Sequence, residues 1–76
     1  MSPQYELLDT PVPQYVLAES LQEAATKLGQ FVARRLGHTD GGRAVATPYD
    51  PRRGVYRLTI DGEFITLFRV RRKNGI

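Results

Sequence analysis

Seventy-six residues, 41% of them hydrophobic and 25% charged, indicate one small folded domain with a single core and little room for an enclosed active site. The absence of cysteine excludes disulfides and thiolate zinc sites and favours a cytoplasmic location, and no apolar run reaches membrane-spanning length. The net charge of +3 is uneven, since residues 1–26 contain no Lys or Arg and residues 27–76 contain all eleven. This asymmetry predicts an acidic partner, either nucleic acid or an acidic protein surface, unless the basic part serves solubility alone.

The first thirteen residues contain three prolines, which lack an N–H and restrict the residue before them. We therefore predict an N-terminal arm without regular structure at 1–13, a single α+β domain at 14–73 and a frayed C-terminus at 74–76. Tyr5, Leu7 and Leu8 remain available as a strap across the sheet or as an edge strand.

A short strand is predicted at 14–18 and a helix after it. Ser20 followed by Glu23 has the spacing of a capping box, so the helix should begin at Leu21. Gly37 suits a left-handed cap at the other end. An apolar stripe at three- and four-residue steps predicts the buried side of this helix: Leu21, Ala24, Ala25, Leu28, Val32 and Leu36.

A loop at 38–42 precedes three predicted strands, at 43–49, 55–60 and 63–71. Asp61-Gly62 between the last two is a strong hairpin signal, because both turn positions of a two-residue loop require positive φ. The predicted fold is α+β, with a single helix packed on a three- to four-stranded antiparallel sheet in the order β-α-β-β-β.

The hairpin register predicts two different sheet faces. A two-residue turn pairs Ile60 with Glu63, Leu58 with Ile65 and Tyr56 with Leu67, and side chains alternate between faces. The predicted core face then carries Tyr56, Leu58, Ile60, Ile65 and Leu67. The second face carries Val55, Arg57, Thr59, Phe64, Thr66, Phe68 and Val70. One helix covers one face, so the second face requires the N-terminal arm, a second copy of the chain (a homodimer) or another partner.

Catalytic and cofactor signals are poor. The single His38 lies near Asp40 in a glycine-rich loop, but one histidine and one carboxylate do not make a metal site. No serine or cysteine is paired with a base at a recognisable spacing, and no phosphate-binding loop is present. We therefore expect no enzyme activity, no cofactor and no metal.

Arginines and aromatic residues are the more informative candidates, because these types dominate binding hot spots. The predicted binding residues are Arg57, Arg69, Arg71, Arg72, Arg52, Arg53, Phe64 and Phe68. Direct binding of nucleic acid is the alternative, with the basic side chains on phosphates and with Tyr49, Tyr56 and the phenylalanines as stacking planes.

The stretch YVLAESLQEAATKL followed by a β-hairpin resembles small phage-encoded proteins of the anti-CRISPR type, built from a strand, an SLxEA helix and an antiparallel sheet. That resemblance implies a compact inhibitor that acts without catalysis by occupying a surface of a nucleoprotein complex. On this basis we expect a non-enzymatic binding module that blocks or regulates a macromolecular complex.

The stretch VYRLTIDGEFITLFRVRRK is similar to the C-terminal strands of RelE/ParE superfamily toxins, which end in a basic segment. The resemblance implies that Arg57, Arg69 and Arg71 correspond to residues that contact messenger RNA in the ribonuclease members. The chain departs from the toxins in having one helix instead of a helical hairpin and no His or Tyr after the last strand. A toxin is therefore a second alternative, and catalysis is not carried over.

Overall fold

A computed structural model describes residues 3–38 and 43–73 and has the predicted α+β architecture. One α-helix packs on an antiparallel sheet, which has five strands and not three or four. The elements are β1 (Gln4–Leu7), β2 (Gln14–Leu17), α1 (Leu21–Arg35), β3 (Ala44–Asp50), a 3₁₀ turn (Pro51–Arg53), β4 (Val55–Ile60) and β5 (Glu63–Lys73). The predicted frayed end at 74–76 and most of the predicted loop at 38–42 lie outside the described residues.

The sheet is organised around β5, in the strand order β2-β1-β5-β4-β3. The first part of β5, from Glu63 to Arg69, pairs with β4, and its last part, from Val70 to Lys73, pairs with β1. Two hairpins, β1–β2 and β3–β4, therefore flank a single long strand. All of these pairings are antiparallel.

The N-terminal segment contributes an inner strand. The prediction that residues 1–13 lack regular structure is wrong for β1, which lies between β2 and β5. Pro3 precedes β1 and the other two prolines follow it, so every residue of Gln4–Leu7 keeps its N–H for the ladder. Tyr5 and Leu7 are buried against the helix side of the sheet. The segment thus widens the sheet and does not cover its second face.

Local signals fix both ends of α1 as predicted. The Ser20 hydroxyl oxygen accepts a hydrogen bond from the Glu23 N–H at 3.1 Å, and the Glu23 carboxylate accepts one from the Glu19 N–H at 2.8 Å. At the C-terminal end Gly37 has φ of 90°, and its N–H donates to the Arg34 carbonyl at 3.0 Å. These caps satisfy backbone groups that would otherwise lack partners.

The buried side of α1 consists of small residues around one leucine. Ala24, Ala25, Leu28, Gly29 and Ala33 are buried, so the helix backbone lies close to the sheet. A Cβ atom at Gly29 would lie only 3.3 Å from both Leu58 Cδ1 and Phe68 Cζ. The predicted stripe is wrong at its end, because Leu36 caps the helix outside its regular turns and is exposed.

A β-bulge changes the register of the β4–β5 hairpin. Leu58 pairs with Thr66 and Thr59 with Phe64, so Ile65 is an extra residue on β5. From Thr66 onward every β5 side chain lies on the face opposite to the predicted one. Tyr56 therefore pairs with Phe68 and not with Leu67, and the two rings lie 6.1 Å apart in the core.

The predicted faces are consequently wrong for four residues of β5. Phe68 and Val70 are buried under α1, and Thr66 lies on their side of the sheet. Leu67 lies on the opposite side and is exposed. The alternation in FITLFRV is apolar on both faces, so the hydrophobic pattern alone does not reveal the bulge.

Candidate binding site on the open face of the sheet

The sheet face opposite α1 carries most of the exposed apolar surface. Within residues 3–38 and 43–73 no helix packs on this side, which we call the open face. Eight large hydrophobic side chains of these residues are exposed. The strand register places Tyr15, Leu17, Val45, Phe64 and Leu67 on the open face, and the contact with Arg57 places Tyr49 there. A concentration of this kind on one face is typical of an interaction surface.

Strand pairing aligns these side chains into rows. Val45, Thr59 and Phe64 lie directly opposite one another on β3, β4 and β5. Arg57 and Leu67 form the next row. The register prediction was therefore right in placing Arg57 and Phe64 on the face away from the helix, and the bulge adds Leu67 to them.

Arg57 lies at the centre of a shallow depression. Its guanidinium carbon is 5.6 Å from the centroid of the Tyr49 ring. The depression has a volume of about 390 Å³ and is lined by Tyr49, Arg57, Phe64 and Leu67. No carboxylate of the described residues lies within 4.0 Å of the Arg57 guanidinium. We call this set of four residues the Arg57 depression.

The other two open-face arginines already have partners. Arg71 Nε donates to Glu6 Oε1 at 2.9 Å, and the Glu6 side chain is only 14% exposed. Arg69 Nη1 lies 3.9 Å from Asp9 Oδ2 in a more exposed pair. The predicted arginines Arg69 and Arg71 are thus on the same face as Arg57, but their charges are compensated within the chain.

Three other predicted arginines lie elsewhere. Arg72 pairs with Tyr5, and alternation along β5 directs it to the helix side of the sheet. Arg52 and Arg53 lie in the 3₁₀ turn between β3 and β4, where Arg53 Nε is 3.8 Å from Asp50 Oδ2. The structure therefore does not bring all the predicted cations onto one surface. Phe68, the eighth predicted residue, is in the core.

Sequence reasoning missed the part of the open face formed by β2 and β3. Tyr15 and Leu17 flank the inward-facing Val16, and the Lys73 ammonium lies 4.3 Å from the Tyr15 ring centroid. Val45 was also missed. The available signal was the alternation in RAVATPY, where small alanines face the helix and the larger side chains face outward.

A side chain of α1 caps one backbone carbonyl on each edge strand of the sheet. Gln22 Nε2 donates to the Ala46 carbonyl on β3 at 2.8 Å, and Lys27 Nζ donates to the Leu17 carbonyl on β2 at 2.7 Å. Pro48 also removes one N–H from β3. Capped carbonyls and a missing donor hinder the addition of another strand, so the face is better suited to a partner than the edges are.

A second depression of about 390 Å³ lies between the C-terminal end of α1 and the start of the β1–β2 connection. Leu7, Val32 and Leu36 contribute apolar walls, and the paired Asp9 and Arg69 also line it. Because its charges pair with each other, this depression offers no uncompensated group comparable to Arg57.

The described residues contain no group of three or more His, Cys, Asp or Glu side chains placed to hold a metal ion. No helix among them combines the length and the apolar character needed to cross a bilayer. Comparison of the chain with protein-family models, with curated proteins and with solved structures gave no match.

Proposed function

We propose that this chain is a non-enzymatic binding module whose open face blocks or regulates a macromolecular complex. The observation that carries the proposal is the grouping of exposed Tyr49, Phe64 and Leu67 around Arg57, on the sheet face on which no described helix packs. Aromatic residues and arginine in an apolar setting are the residue types that contribute most to protein interfaces.

The charge pattern of the open face favours a protein surface over a phosphate backbone. A nucleic-acid strand is held mainly by uncompensated cations that neutralise several phosphates. Here the Arg71 and Arg69 charges are paired with Glu6 and Asp9, which leaves Arg57 and Lys73 as the open-face cations of the described strands without a carboxylate within 4.0 Å. A protein partner with scattered carboxylates around an apolar centre requires less positive charge.

The resemblance to phage-encoded inhibitors indicates which class of partner should be tested. Such inhibitors occupy a surface of a nucleoprotein complex, so the relevant partner is a protein subunit with an acidic patch. The capped sheet edges support docking through the face and not through strand addition.

The proposal is tested by capture from bacterial lysate with the tagged chain, with and without nuclease, read by mass spectrometry. The variants Phe64→Thr and Leu67→Thr remove open-face apolar groups while keeping a strand-favouring residue. Val12→Thr is the matched control, because Val12 is at least as exposed as Phe64 and Leu67 but lies in the β1–β2 connection.

We expect a protein complex that survives nuclease, is lost with both open-face variants and is kept with Val12→Thr. Equal capture by all variants would remove the open face as the binding surface. Sedimentation of the purified chain tests whether a second copy of the chain covers the open face. A dimer that Leu67→Thr converts to a monomer would mean that it does.

A second candidate function is the binding of single-stranded nucleic acid. It is favoured by the Tyr15, Tyr49 and Phe64 rings, which lie on the same face as Lys73 and Arg57. Bases stack on such rings without sequence preference. This candidate predicts capture that disappears with nuclease, and affinity for a short oligothymidylate that falls steeply as salt rises.

A further inference from the structure

The chemistry of the Arg57 depression indicates which part of a protein partner it receives. We infer that the depression is an anchor site for a carboxylate flanked by apolar side chains, as in a short acidic and hydrophobic peptide segment. This inference rests on the proposed function, because it assumes that the open face binds protein.

The first observation is the state of the Arg57 charge. The guanidinium lies over the Tyr49 ring at 5.6 Å, and no described carboxylate is within 4.0 Å of it. The Arg57 side chain makes no hydrogen bond to the described residues, so its N–H groups, which lie in one plane, are available for a ligand. A carboxylate fits this planar arrangement with two parallel hydrogen bonds.

The second observation is the apolar wall. Phe64 and Leu67 line the depression beside Arg57, and both are exposed in the free chain. An apolar side chain placed on them would exclude water from around the guanidinium. Since Coulomb attraction strengthens as water is removed, the same contact would strengthen an ion pair with Arg57.

The third observation is the isolation of this charge. Of the neighbouring cations, Arg71 is hydrogen-bonded to Glu6, and Arg69 lies 3.9 Å from the Asp9 carboxylate. One carboxylate is enough to compensate Arg57, whereas a phosphate backbone gains most of its affinity from several free cations. The volume of about 390 Å³ is at the small end for ligand sites and suits one or two side chains.

The test is a nitrogen-15 NMR titration of the full chain with three probes. The first is the peptide acetyl-LDFDL-amide, the second is its neutral counterpart acetyl-LNFNL-amide, and the third is a short oligothymidylate. The chain offers a matched control for Arg57→Gln. Arg35 also lies over an aromatic ring, with its guanidinium carbon 6.0 Å from the Phe31 centroid, but it is on α1.

We expect the acidic peptide to shift the resonances of Tyr49, Arg57, Phe64 and Leu67. Affinity should fall about tenfold or more for the neutral peptide or for Arg57→Gln, since a charged hydrogen-bonded pair is lost. Arg35→Gln should bind like the parent chain. Arg57→Lys should bind with intermediate affinity, because it keeps the charge but loses the planar donor pair.

Equal binding of the two peptides, shifts outside the depression, or no shift at millimolar acidic peptide would overturn the inference. Shifts at these residues with oligothymidylate alone would assign the site to nucleic acid. If the titration fails while capture from lysate still depends on Leu67, only the anchor inference is wrong. If capture is also independent of Phe64 and Leu67, the proposed function is wrong as well.

Discussion

Replacing Phe68 with leucine should destabilise the fold much more than the same replacement at Phe64. The two residues are four positions apart on β5, but the bulge at Ile65 places them on opposite faces. Phe68 is 7% exposed and contacts the core, whereas Phe64 is 56% exposed on the open face. We expect a loss of roughly 1–2 kcal/mol at Phe68 and below about 0.5 kcal/mol at Phe64.

Leucine is chosen over alanine as the replacement for Phe68 because the protein is small. A 76-residue domain has a total unfolding free energy of roughly 4–11 kcal/mol, and a buried Phe→Ala change costs about 3–5 kcal/mol. Alanine at Phe68 would therefore unfold much of the sample, while leucine keeps the transition measurable. Urea denaturation followed by circular dichroism gives both values, with an unchanged dependence on urea as the check for two-state behaviour. Equal losses at the two positions, or a larger loss at Phe64, would refute the bulged register.

Three further predictions test the turns, the helix cap and the core. Gly54→Ala should cost more than about 2 kcal/mol by thermal denaturation, because its Cβ would overlap the Val70 carbonyl oxygen. Gly62→Ala should cost less, since φ is positive there too but nothing lies within 4 Å of the added Cβ. Ser20→Ala should cost about 1 kcal/mol in the same assay and Ser20→Asp almost nothing, because only the first removes the cap. Burial and the neighbouring Tyr5 raise the pKa of Tyr56 in the folded state above 10.0. The contribution of Tyr56 to the free energy of unfolding should therefore be full below pH 10 and decrease above it. Tyr56→Phe should lose that part of the pH dependence. Unchanged alkaline profiles would contradict the last prediction.

Local signals in the sequence were sufficient for α1 and for the β4–β5 turn. A capping serine, a C-terminal glycine and an Asp-Gly pair each act within a few residues, so no knowledge of the tertiary structure is needed to interpret them. Arg57 and Phe64 were assigned correctly to the face away from the helix because they lie before the bulge, where counting from the turn is still valid.

The two features that the sequence did not predict, β1 and the bulge in β5, depend on contacts between distant parts of the chain. β1 has only four residues, and its stability as a strand comes from pairing with β5 about sixty-five residues later in the chain. The bulge at Ile65 likewise involves distant residues, because it places Phe68 beside Tyr56 on β4 and Gly29 on α1. That change moved Phe68 from the open face into the core and Leu67 from the predicted core to the open face.

Hydroxyl-radical footprinting of the chain, alone and bound to the partner that it captures, tests most directly whether the open face is the functional surface. Tyr49, Phe64 and Leu67 are reactive residue types that are exposed in the free chain. Val12 in the β1–β2 connection and Leu36 at the C-terminal end of α1 are exposed outside the strands and serve as internal references. We predict that the three open-face residues become protected in the complex and that both references keep their reactivity. Protection of the references with unchanged labelling of Tyr49, Phe64 and Leu67 would contradict the account.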